Sequence, residues 1–118
     1  MTPRKLALAA ADAALSKQAV QVTILDVRGK VDYADYLVLA SGNSDRHVQA
    51  IAAAVEERMQ KVKARAQGVE GLGNAQWVLM DFGDIVVHVF HRPVRHVYDL
   101  EGLWMDAARI PIPTNGAD

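Results

Sequence analysis

The chain has 118 residues, 51% apolar and 23% charged, which suits one domain built around a hydrophobic core and leaves little room for two. Lys and Arg number 13 against 14 Asp and Glu, a net charge of -1, which is not the basic excess of a phosphate-driven nucleic-acid binder. Cysteine is absent, so disulfides, Cys-ligated zinc, iron–sulfur clusters and thiol catalysis are excluded and a reducing compartment is expected. The basic pair Arg4-Lys5 precedes an apolar run at 6–11 that Asp12 ends. That run falls short of the roughly 7–15 residues of a secretory core and the ~20 of a membrane span. It reads instead as a first helix over 3–16, capped by Thr2 and opened by Pro3, in a soluble, cytoplasmic protein.

Val20-Gln21-Val22-Thr23-Ile24 alternates with period two and predicts a half-buried strand, closed by Gly29. Tyr36-Leu37-Val38-Leu39-Ala40 is continuously apolar and predicts a central strand covered on both faces. After the turn Ser41-Gly42-Asn43-Ser44, the residues Val48, Ile51, Ala52, Val55, Met59, Val62 and Ala66 form one helical stripe. This long amphipathic helix is expected to have a cap at Asn43 or Ser44, Lys61, Lys63 and Arg65 near its end, and Gly68 as its C-cap. A loop over 68–75 leads to two strands, 77–82 and 85–90, joined by Gly83-Asp84 as a hairpin. Pro93 opens a short helix with Val94, Val97 and Tyr98 at helical spacing; Leu103-Trp104 is expected to fold back onto the body. Residues 1–110 are read as one domain and 111–118 as a loose tail. The predicted order α-β-β-α-β-β-α makes a single α/β (α+β) domain, a mixed sheet flanked by helices.

The catalytic motifs are weak. His88 and His91 differ by an odd number and point to opposite faces of a strand, and His96 lies beyond it, so three converging metal ligands are not expected. Asp81-Phe82-Gly83 spells a kinase tripeptide without the rest of a kinase, and Gly71-Leu72-Gly73 does not sit between a strand and a helix. The turn at Ser41-Gly42-Asn43-Ser44 could present backbone N–H groups to an anion, as in a nucleotidyl-transfer enzyme. Such an enzyme, or another metal-dependent one, is the alternative reading, but no strand offers it an Asp-x-Asp pair. No metal, cofactor or catalytic residue is assigned.

The hairpin is more informative. A two-residue turn at Gly83-Asp84 places Val78, Met80, Phe82, Ile85, Val87 and Val89 on one wholly apolar face, which must be core. Its other face carries Trp77, Leu79, Asp81, Val86, His88 and Phe90, large aromatics beside an acid and a histidine. That mixture suits either a surface for a partner or a face covered by a helix. Burying Asp81 in a dry core would be costly, which favours the partner surface, with Asp84 and Tyr98 at its edge. Asp84, Asp99, Glu101 and Asp106 nearby would suit a basic protein.

Two ordered blocks resemble a known family. The first is Asp26-Val27 with Gly29, Asp35-Tyr36, Ser41-Gly42, Ser44, Arg46-His47 and Ile51-Ala52. The second is Trp77, Asp81-Phe82-Gly83-Asp84, Val87-His88, Phe90, Arg95, Tyr98, Leu100-Glu101 and Leu103-Trp104. Together, across residues 6–104, the chain is similar to the ribosomal silencing factors, also called the Iojap family. The resemblance implies a non-enzymatic translation factor that binds ribosomal protein number fourteen on the large subunit. By doing so it would sterically block joining of the small subunit when nutrients are scarce; the family is also linked to large-subunit maturation. It further implies a nucleotidyltransferase-like fold lacking the catalytic carboxylates, and a homodimer when free. Little direct nucleic-acid binding and no membrane association are expected. The expected partner-binding residues are Trp77, Leu79, Asp81, Asp84, His88, Tyr98, Leu100, Glu101 and Trp104. Gly102 departs from the family, which usually has a polar helix-former there.

Overall fold

The computed structural model describes residues 1–113. Its elements are α1 (Pro3–Ser16), β1 (Val20–Asp26), β2 (Tyr36–Gly42), α2 (Asp45–Lys61), β3 (Gly68–Glu70), β4 (Trp77–Asp81), β5 (Ile85–His91), α3 (Arg92–Tyr98), α4 (Leu100–Leu103) and β6 (Ala108–Arg109). The six strands form one mixed sheet in the order β3-β4-β5-β2-β1-β6, in which β2 and β5 are parallel and the other pairs antiparallel. Strand parity divides the apolar residues between two cores. One face of the sheet, with Val38, Met80, Val87 and Val89, packs under α1 and α2. The opposite face, with Leu37, Leu39, Val86 and Phe90, meets the C-terminal segment through Leu100 and Trp104. All seven residues of β2 are buried, because both of its faces are covered.

Local signals account for the helix starts. The Thr2 hydroxyl accepts from Lys5 N–H at 3.2 Å, ahead of Pro3. Ser44 caps α2 through His47 N–H at 3.1 Å. The hairpin register also follows the sequence: Met80 faces Val87 and Val78 faces Val89, and Phe82 N–H donates to Ile85 O across Gly83-Asp84.

Several expectations need correction. Helix α2 stops at Lys61 rather than reaching Ala66. Lys63 takes a left-handed conformation (φ 63°), and its N–H and that of Ala64 close on Gln60 O and Met59 O. This is a Schellman stop with lysine where glycine is usual, so it carries no compositional marker. Gly68 is therefore not a cap and opens β3 instead. The expected 68–75 loop thus contains a strand, and the chain gains α4 and β6 beyond the predicted order. Helical spacing also fails in α3. Val97 and Tyr98 are exposed, and the residue laid onto the sheet is Arg95. At Gly102 an added Cβ would run into the Asp99 carboxylate, whose Oδ1 accepts from Gly102 N–H at 3.2 Å. The glycine suits a tight corner. Ile112 packs partly buried against the first core, and residues 114–118 lie outside the described residues, so the tail expected from 111 is described only in its first part.

Candidate docking surface

The mixed face of the hairpin holds a connected aromatic group. Trp77 and Phe90 are paired in register across β4 and β5, and their rings stack at 5.4 Å. Tyr98, delivered by the last residue of α3, lies 4.4 Å from the Trp77 ring. His88 stacks on Phe90 at 6.2 Å, and its Nδ1 accepts from the Trp77 indole N–H at 3.0 Å. Indole is only a donor, so this bond assigns the neutral His88 proton to Nε2. The imidazole is 6% exposed, between Leu39 and Leu79 in the register. Burial pushes its pKa down to about 4, so it is uncharged at neutral pH.

Trp77, Leu79 and Asp81 are half-buried along the strand. Asp81 meets its polar requirement locally, since its Oδ1 accepts from Gly83 N–H at 2.8 Å. Beyond the aromatic group, Val97, Leu103 and Met105 stand exposed with Tyr98 along the C-terminal segment, Met105 at 86%. The sequence set Val97 at helical spacing and expected Leu103 to fold back with Trp104, but both are exposed, and Met105 was not singled out. Helices as short as α3 and α4 have too few turns to separate an inner from an outer face.

The structure therefore brings together Trp77, Leu79, His88 and Tyr98, with Leu100 and Trp104 partly buried against the same core. Glu101 is turned inward. It accepts from Arg95 Nε at 3.0 Å, and that bond holds its carboxyl below the usual range. Asp84 lies at the far end of the hairpin, about 17 Å of strand from Trp77. Its carbonyl accepts from Asp35 N–H, and it does not adjoin the aromatic group.

The features of an enzymatic reading are occupied or scattered. In the turn before α2, Asn43 N–H donates to His47 Nδ1 and Asn43 Oδ1 accepts from Arg92. Among the described residues, no three His, Asp or Glu side chains are grouped to hold a metal ion. No helix among them is long and apolar enough to cross a membrane.

The profile of a family described as "Ribosomal silencing factor during starvation" matches residues 1–118. The chain belongs to the ribosomal silencing factor family. It is 44% identical over 103 residues to Ribosomal silencing factor RsfS of Bacillus subtilis, covering 87% of this chain and 85% of that protein. A more distant relative, the chloroplastic protein Iojap of Zea mays, is 29% identical over 91% of this chain but is matched over only 46% of its own length. Two crystal structures share the fold of this silencing factor domain. One from Bacillus halodurans has a TM-score of 0.82 at 37% identity, covering 92% of this chain and 99% of that one. One from Chromobacterium violaceum has a TM-score of 0.87 at 29% identity, covering 100% of this chain and 98% of that one.

Proposed function

We propose that the chain binds the large ribosomal subunit through ribosomal protein number fourteen and blocks joining of the small subunit by occupying that surface. The observation that carries this reading is the pair of rings of Trp77 and Tyr98 over the buried His88, with Val97, Leu103 and Met105 exposed on the same C-terminal segment. Aromatic anchors set in a pocket with an apolar surround are the usual centre of a protein interface. Asp99 and Asp106 in the segment, the latter paired with Lys30 at 2.9 Å, and Asp84 at the far end of the hairpin suit a basic partner. In this reading the protein acts in the cytoplasm, represses translation when nutrients are scarce, and works without catalysis. A free homodimer would cover the same apolar surface and open on docking. Trp77, Leu79, His88, Tyr98, Leu100 and Trp104 form the contact and its support, with Asp81 and Asp84 along the hairpin rim.

The test is subunit joining followed by gradient sedimentation. Adding the protein to separated subunits should lower the assembled-ribosome peak in proportion to bound large subunit, without nucleotide. Inhibition that required ATP or GTP hydrolysis, or that persisted after the protein was removed, would contradict occupancy and favour the nucleotidyltransferase-like reading.

A further inference from the structure

The C-terminal segment has an unusual attachment. Helix α3 has seven residues, of which the only buried one is an arginine, and α4 has four residues with none buried. Isolated helices of this length are not stable in water, so something outside them must hold their shape. Apolar packing supplies little: Leu100 and Trp104 are only partly buried, and Tyr98 rests on the Trp77 ring while remaining exposed.

Arg95 supplies the rest. At 4% exposure, its Nη1 donates to Gln21 O at 2.7 Å and to Ser41 Oγ at 2.8 Å, and its Nη2 reaches Thr23 Oγ1 at 3.5 Å. Its Nε donates to Glu101 Oε1 at 3.0 Å, across the corner that separates α3 from α4. The sheet is shaped to receive this group. Strand β1 bulges between Val20 and Thr23, with Gln21 in a left-handed conformation (φ 53°), and the Gln21 carbonyl is one that Arg95 takes. A bulge re-aims the backbone groups of the strand that carries it, and here it offers an acceptor to the guanidinium.

We propose that Arg95 is a positioning residue for docking: it makes no contact with the partner but holds α3 and α4 in the arrangement that presents Tyr98, Val97, Leu103 and Met105. This rests on the docking reading above, because the segment has to be the part that meets the ribosome. A planar, five-donor guanidinium can span two strands and a carboxylate at once, which an ammonium cannot. Without it, the segment samples open forms while the six-stranded sheet stays folded, and only the ordered fraction captures the partner.

The test compares wild type, Arg95→Met, Arg95→Lys and Ser41→Ala. Hydrogen exchange is read by region, and association and dissociation rates are measured on isolated large subunits. For Arg95→Met the account expects faster exchange confined to residues 92–106, with protection kept in β2 and β5. It also expects association slower by about tenfold or more with dissociation little changed, since a bound partner holds the segment in place. Arg95→Lys and Ser41→Ala should fall between. Loss of protection throughout the sheet would make Arg95 a residue of the fold as a whole and overturn the proposal. So would a loosened segment that still associates at the wild-type rate. Failure of the wild type itself to bind large subunits would instead remove the docking reading.

Discussion

His88 has the most testable electrostatics in the molecule. Folding buries it as a neutral group, so its pKa falls from 6.5 to about 4, while the unfolded chain keeps the ordinary value. Well above pH 6.5 neither state is protonated at this site, and it makes no pH-dependent contribution. As pH falls from 6.5 towards 4 the unfolded state binds the proton and the folded state does not, so stability declines. The full difference is up to about 3 kcal/mol, by the linkage of proton binding to folding. Protonation would also remove the Nδ1 acceptor that fixes the Trp77 indole. The measurement is the denaturation midpoint between pH 7.5 and 4 for wild type and His88→Gln. The wild type should lose more stability across that range; parallel curves would mean that His88 is not buried as a neutral group. Glu101 and Asp26, both lowered by arginine partners, lose stability in the same direction as they protonate, which is why the difference between the two proteins is the quantity to read.

Among the elements, those with several helical turns or a tight turn were legible in the sequence. Thr2-Pro3, the stripe Val48 to Met59 and the Gly83-Asp84 hairpin are followed by the structure, whereas the alternation read at 20–24 is interrupted by the bulge between Val20 and Thr23. What failed to show has physical reasons. Strand β3 has three residues and β6 two, below the length at which a period exists. The end of α2 was misread because Lys63 occupies a position where glycine is the usual signal. That misfit gives a prediction. A lysine held at φ 63° costs about 1 kcal/mol relative to glycine, so Lys63→Gly should stabilise the protein by about 0.5–1 kcal/mol in chemical denaturation. Unchanged or lower stability would contradict the Schellman geometry at this end. The mixed face was legible as composition, and its residues proved contiguous, but the role of Arg95 was not. An arginine in a short helix reads as solvated, and nothing in the neighbouring residues announces a carbonyl released by a bulge some seventy positions earlier.

At the scale of the whole molecule, two cores of different character share one sheet. The first is closed by two helices that bury alanines and branched aliphatics. The second is only partly closed by a short polar-anchored segment, which leaves aromatic and apolar side chains at its rim. Substitutions in the two should therefore separate folding from binding. Met80 is fully buried under the helices, while Leu79, one residue along, sits half-buried beside His88. Met80→Asp places an unpaired carboxylate in a dry core and should unfold the domain. Trp77→Ala and Leu79→Asp should leave it folded. Loss of a central aromatic anchor typically costs about 2 kcal/mol or more, roughly a thirtyfold fall in affinity. The most direct measurement is co-sedimentation of these three variants with isolated large subunits, each paired with a thermal melt. The account predicts that Trp77→Ala and Leu79→Asp melt cooperatively and no longer co-sediment, while Met80→Asp shows no folded baseline. If Leu79→Asp melted as badly as Met80→Asp, or if Trp77→Ala bound large subunits as tightly as the wild type, the docking surface would lie elsewhere.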